Sequence, residues 1–229
     1  MIFLINSENR HLYADLLDDM FRVRADVFKK RLNWDVTVED GREIDVFDKC
    51  DPAYIVSVSE VTGAFQGSVR LLPTTGPNML RDVFPQLLDG GQMIADDKIW
   101  ESSRFSINAD QPQMRCRKGA AKFIHKTTVE LLLGIIECAQ RNDVKQIVSV
   151  YDARMGRVFR QIGCDAIPVG TAKMIGEIMT HAGIFETTDQ SWRKIASYAE
   201  ITKPVVGDEL PLAIAFTQSI LPSFEDLAR

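Results

Sequence analysis

Residues 54–72 constrain the fold most. Tyr54, Val56 and Val58 alternate with Ile55, Ser57 and Ser59, the two-residue period of a strand. Thr62-Gly63-Ala64 supplies a turn, Phe65 to Leu72 returns as the partner strand, and Pro73-Thr74-Thr75-Gly76-Pro77 ends it. Residues 120–141 then read as a long helix whose Phe123, Ile124, Leu131, Leu132, Ile135 and Ile136 can face a sheet. A β-branched strand at 146–151, a helix at 154–162 stopped by Gly163 and a strand at 164–170 follow. Strands first, then helix–strand–helix–strand, predicts an α/β (α+β) layout with a mixed central sheet flanked by helices.

The remaining elements fit that layout. Residues 1–5 read as a strand. Residues 9–31 read as an amphipathic helix with Leu12, Leu16, Met20, Val23, Val27 and Leu32 on one stripe. Residues 33–52 are polar and acidic and predict a loop. A short helix carries Met79, Leu80, Val83 and Phe84 on one face, and residues 98–107 form a strand of unusually polar content. A strand near 176–187 and a helix at 190–199 close the pattern. No repeat or long linker divides the 229 residues, so residues 1–229 are expected to form one domain.

Composition excludes several classes. A hydrophobic share of 45% with 12 Phe, 3 Trp and 4 Tyr supplies core anchors and excludes disorder as the main state. A net charge of −5 disfavours a general nucleic-acid or anionic-membrane binder. The apolar start Met1-Ile2-Phe3-Leu4-Ile5 is too short for a signal core, and 131–136 is far short of a membrane span, so a cytoplasmic location is expected. Cys50, Cys116, Cys138 and Cys164 are widely spaced among three histidines, which disfavours a structural metal site. Charge is also unevenly distributed. Seven acids (Asp35, Glu39, Asp40, Glu43, Asp45, Asp48, Asp51) face only Arg42 and Lys49. Between 115 and 160 ten bases face four acids, and Lys118, Lys122, Lys126 and Arg154, Arg157, Arg160 each share a helix face. Either trio alone is an ordinary solvated face; together the two zones read as a cation-facing loop and an anion-facing platform.

No Walker loop, G-x-G-x-x-G or G-x-S-x-G occurs. The nearest phosphate-binding segment is Arg117-Lys118-Gly119 with Lys122, at the expected start of the long helix. Two other segments carry unusual chemistry. One places Arg24, Phe28 and Trp34 ahead of Asp45 and Asp48. The other is Trp100-Glu101-Ser102-Ser103-Arg104-Phe105, where alternation predicts Glu101, Ser103 and Phe105 on one side and Ser102 and Arg104 on the other. A Glu and an Arg buried in a strand must be paired. A structural ion-pair network joining Arg24, Arg70 and Arg104 to Asp45, Asp48 and Glu101 and a functional site are equally open readings of these residues.

The ordered set Arg24, Phe28, Trp34, Asp45, Asp48, Arg70, Glu101, Ser103 and Arg104 resembles the acyl-homoserine-lactone synthases, the LuxI-type autoinducer synthases, at all nine positions. The likeness is strong over residues 1–107 and looser beyond. It implies a GNAT-like acyltransferase fold and two substrates: S-adenosylmethionine, bound as a substrate rather than a cofactor, and an acyl thioester on acyl carrier protein or CoA. It implies that Phe28 and Trp34 face the sulfonium or adenine. Glu101 is then the best general base, with Arg24, Asp45, Asp48, Arg70, Ser103 and Arg104 shaping and holding the site. Phe105, Phe123, Leu131, Val148, Ser149 and Val150 are expected to line an acyl pocket between sheet and long helix, though each is equally ordinary core. Arg117, Lys118, Gly119, Lys122, Arg154, Arg157 and Arg160 are expected to receive the carrier and its phosphopantetheine. Cys116 stands where an acetyl-CoA fingerprint would have Arg or Gln, which favours a carrier protein over CoA. The rivals are the same chemistry with acyl- or aroyl-CoA, a GNAT N-acyltransferase of other specificity, and a sensing or scaffold domain whose ion pairs are structural.

Overall fold

The structure is a computed structural model and describes residues 1–111 and 124–207. Strand β1 (Ile2–Ile5) leads into a 3-10 turn at Arg10–Tyr13 and helix α1 (Ala14–Arg24), which widens into a π-helical turn at Ala25–Arg31. The expected continuous helix therefore changes pitch at the Arg24–Phe28 step. The expected loop holds a small hairpin, β2 (Val38–Glu39) and β3 (Arg42–Glu43), and a 3-10 turn at Val46–Lys49. Next come β4 (Ala53–Val58), β5 (Phe65–Pro73), α2 (Met79–Asp82) and β6 (Ile99–Ile107). Helix α3 (Lys126–Arg141) starts six residues later than the sequence pattern predicts, because Ile124 and His125 are already non-helical. Strand β7 (Gln146–Asp152), α4 (Ala153–Ile162), β8 (Ile167–Pro168), β9 (Lys173–Ile175), β10 (Ile178–Glu186) and α5 (Asp189–Tyr198) complete the order.

The sheet runs β1-β4-β5-β6-β7-β10-β8, with β9 paired to β10. Every pairing is antiparallel except β6–β7. Its faces carry different cores. Ala53, Ile55, Val69 and Leu71 pack on the α3 side with Leu131, Leu133 and Ile135. Tyr54, Val56 and Val58 pack on the α1 side with Met20, and Val148 meets Leu80 and Leu87 on α2 and its following turn. Both faces of β4 are thus covered and all its residues are buried. Asp152 caps α4 by accepting the Met155 N–H, and Gly163 ends it at φ +77°.

Gly170 fixes the approach of the β8–β9 connection to the turn after α2. A Cβ there would lie 2.0 Å from the Leu87 carbonyl oxygen. Gly170→Ala is expected to cost about 1–3 kcal/mol, the overpacking range, read as a lower midpoint in thermal or urea unfolding.

Candidate active site

Six charged side chains from five segments meet on the α1 side of the sheet. Arg24 is fully buried and donates from Nη1 and Nη2 to both Asp48 oxygens (2.9 Å each) and from Nε to Glu43 (2.6 Å). Arg70, also fully buried, donates to Asp45 (2.5 and 3.1 Å), Asp48 (3.0 Å) and Ser103 Oγ (3.1 Å). Arg104 donates from Nε to Glu43 (3.1 Å), and its Nη2 pairs with Glu43 and Asp45 at 2.9 and 2.8 Å. Tyr54 adds a phenol hydrogen bond to Asp48 (2.8 Å). Asp45 and Asp48 cap the turn between them reciprocally. Burial opposes ionisation of Asp48, but the Arg70 and Arg24 charges outweigh it and hold the carboxyl well below the usual range.

Arg104 reaches this cluster only because β6 departs from a flat strand. Arg70 pairs Ser103 and Ser68 pairs Ser106, so two β6 residues oppose one on β5. Arg104 sits in that bulge at φ +53°. The bulge swings Arg104 to the face of Glu101 and Ser103 and sends Phe105 to the α3 core. Simple alternation predicted the reverse for both residues.

Glu101 takes no part in the ion pairs. It is 1% exposed, and its carboxylate accepts the Met79 N–H (3.0 Å) and the Leu80 N–H (2.6 Å) at the start of α2. Burial pushes it up to about 7, partly offset by those two N–H groups and by Arg70. In its place Glu43, read in the sequence as one acid among seven, bridges Arg24 and Arg104. Glu43, Tyr54 and Met79 are the residues that sequence reasoning missed. Glu43 had no signal beyond its acidic run, and Met79 read as helix-face core.

A cavity of about 990 Å³ lies beside the cluster, lined by Trp34, Asp35, Glu39, Asp45, Phe47, Met79, Phe84 and Arg104 together with Val150, Asp152, Glu177 and Thr180. Acids on its wall outnumber bases, with Asp152 and Glu177 extending the acidic zone beyond 35–51. Within that zone Glu43, Asp45 and Asp48 are spent on buried arginines and Asp51 pairs with Arg10, while Asp35 and Glu39 line the cavity. Trp34 lines the cavity, and its Nε1 has no hydrogen-bond partner among the described residues. Phe28 is placed differently from the sequence reading. It is 3% exposed, packs on Trp34 with ring centroids 5.1 Å apart, and lies under the Arg104 guanidinium at 5.2 Å. It supports the site from behind.

The expected acyl-pocket residues divide between the two faces. Ser149 faces α3 and lines a cavity of about 40 Å³ with Ser102, Leu132, Ile135, Ile147 and Phe185. Ser102 Oγ donates to Ser149 Oγ (3.1 Å) and Ser149 Oγ donates to the Ser102 carbonyl (2.9 Å). Phe105 and Leu131 belong to the core on that side. Val148 and Val150 point to the opposite face, where Val150 lines the large cavity. A strand's period of two cannot place 148, 149 and 150 in one pocket. The β6–β7 ladder ends at Ser102↔Ser149 although both strands continue, which parts the sheet between the two cavities. Phe123, Arg117, Lys118, Gly119 and Lys122 lie outside the described residues. Arg154, Arg157 and Arg160 are exposed on α4. Among the described residues no group of His, Cys, Asp and Glu is placed to hold a metal, and no helix is long and apolar enough to cross a membrane.

An acyltransferase-type mixed sheet that parts beside an acidic, aromatic cavity defines a class. An N-acetyltransferase-type structure from Lactobacillus plantarum shares the fold over 82% of this chain (TM-score 0.52, 13% identity). The sequence profile of the Autoinducer synthase family matches residues 8–195, and the chain belongs to that family. It is 32% identical over 194 residues to the acyl-homoserine-lactone synthase of Agrobacterium fabrum, covering 85% of this chain and 90% of the relative. Among solved structures, the CoA-dependent acyl-homoserine lactone synthase BjaI with SAM and isopentyl-CoA matches at TM-score 0.78 and 27% identity, covering 92% of this chain and 94% of that one. The synthase LasI matches at TM-score 0.73 and 30% identity, covering 89% and 98%. The chain is accordingly an acyltransferase that moves an acyl group from a thioester to the amine of S-adenosylmethionine and closes the lactone with release of 5′-methylthioadenosine.

Proposed function

We propose that the whole chain acts as one synthase domain, that S-adenosylmethionine occupies the large cavity, and that the acyl group is delivered by an acyl carrier protein. The cavity's excess of carboxylates suits a sulfonium cation, and Trp34 offers an aromatic face and an unpartnered N–H. In this reading Glu101 takes a proton from the α-amine, directly or through water, because it is a buried carboxylate beside the cluster held by two main-chain N–H groups and not by an arginine. The freed amine attacks the thioester carbonyl, and main-chain N–H groups where β6 and β7 part stabilise the oxyanion. The thiolate leaves with its carrier. The carboxylate of the acylated product then displaces methylthioadenosine from its γ-carbon and closes the ring. Ser102 and Ser149 line the small cavity, and in this reading Ser149 meets a 3-oxo group.

The observation that carries the carrier-protein reading is the exposed Arg154, Arg157 and Arg160 face of α4, which complements an acidic partner. The likeness to a CoA-dependent synthase supports the second reading, an acyl-CoA donor. Purified protein given S-adenosylmethionine and matched acyl-carrier and acyl-CoA donors separates the two through methylthioadenosine release. The expected result is at least tenfold higher kcat/KM for the carrier donor, falling when the three arginines are replaced by Glu. Equal or better use of CoA, indifferent to those replacements, sinks the carrier reading.

A further inference from the structure

We propose that Met79 is a positioning residue that masks the anion-binding end of Arg104, and that the carboxylate of the amino-acid sulfonium substrate takes the place of its sulfur. The inference rests on the placement of S-adenosylmethionine in the large cavity. Arg104 spends Nε and Nη2 on Glu43 and Asp45, but among the described residues the only partner of its Nη1 is Met79 Sδ at 3.4 Å. Arg70 Nη2 also donates to that sulfur, at 3.3 Å. A thioether is a weak acceptor, whereas a carboxylate forms a charge-assisted bond about twice as strong as a neutral one. The Arg104 side chain is only 7% exposed, so a guanidinium N–H is held on sulfur where an oxygen would bind it better. Arg104 and Met79 both line the cavity, so an entering carboxylate reaches Nη1 from there.

Met79 is suited to yield. Its side chain is unbranched, and the sulfur can rotate away while the Met79 and Leu80 N–H groups stay on Glu101. Met79 thus touches Arg104 through its sulfur and Glu101 through its main-chain N–H.

The test compares two ligands by calorimetry: S-adenosylmethionine, and 5′-methylthioadenosine, which has no carboxylate. Met79→Gln places a strong acceptor against Arg104, and Met79→Leu removes the acceptor at similar volume. Met79→Gln should weaken S-adenosylmethionine at least tenfold while methylthioadenosine stays within twofold. In kinetics it should raise the KM for S-adenosylmethionine and leave the KM for the thioester unchanged. Met79→Leu should bind S-adenosylmethionine at least as tightly as the wild type. Unchanged S-adenosylmethionine affinity in Met79→Gln, parallel weakening of both ligands, or a loss in Met79→Leu equal to that in Met79→Gln overturns the role of Met79. Failure of the wild type to bind methylthioadenosine overturns the placement of the substrate itself.

Discussion

Glu101→Gln lowers turnover by ~10²–10⁴, the range for loss of a positioned general base. The structure gives this expectation a pH signature. Burial holds the Glu101 carboxyl up to about 7, against its two N–H donors and the Arg70 charge. Since the base must be ionised to accept the amine proton, kcat/KM of the wild type rises with pH through about 7. The residual activity of Glu101→Gln lacks that acid limb. The α-amine itself titrates near 7.7–8.0 in unperturbed groups, so a second limb from the substrate persists in both proteins. Near-full turnover, or an unaltered limb at 7, removes Glu101 from the role. A thermal melt of the variant separates chemistry from folding, because the Met79 and Leu80 N–H groups both lose a charged acceptor and one of them faces the new amide NH2.

Arg24→Met carries the second large effect, on stability. Arg24 does not line the cavity, yet it satisfies both Asp48 oxygens and one Glu43 oxygen in a fully buried setting. Removing it leaves two carboxylates short of charge, and breaking a buried pair this way costs about 3–5 kcal/mol. For a chain of this size that is a fall in Tm of roughly 6–20 °C. The pH dependence follows from Asp48, whose folded-state value is depressed. Its stabilising contribution is present above the unfolded value of 3.8 and is lost as pH falls through the folded one. The gap between wild type and Arg24→Met is therefore full at neutral pH and narrows in acid. Urea unfolding at pH 7 and pH 3 measures both. A gap below 1 kcal/mol at pH 7 would show that the network is not a stability element.

The arginine–carboxylate cluster divides between members that are buried away from the cavity and members that line it. Arg24, Asp48 and Tyr54 are buried on the α1 side without lining the cavity, and act on the fold. Arg104 and Asp45 reach the cavity from the same network. This division was not legible in the sequence, because burial depends on which segments cover each residue. One of the two open readings put Glu101 among the ion pairs; it is instead held by two main-chain N–H groups, a partner type that leaves no trace in residue identity.

Local pattern alone determined the order and type of the main elements. Period-two alternation placed the 54–72 hairpin, apolar spacing placed the helix that ends at Arg141, and Gly163 marked a helix end, because each depends on neighbours a few residues apart. The nine residues that carry the family resemblance were also legible, as an ordered pattern along the chain. Their geometry was decided by tertiary structure. A one-residue bulge turned Arg104 toward the cavity and Phe105 away from it, and the two faces of β7 separated Val148 and Val150 from Ser149. Glu43 was drawn from an undistinguished acidic run to bridge two arginines 80 residues apart in the chain. Such contacts are set by strand register and by which charges must be paired once water is excluded, and both are properties of the assembled sheet.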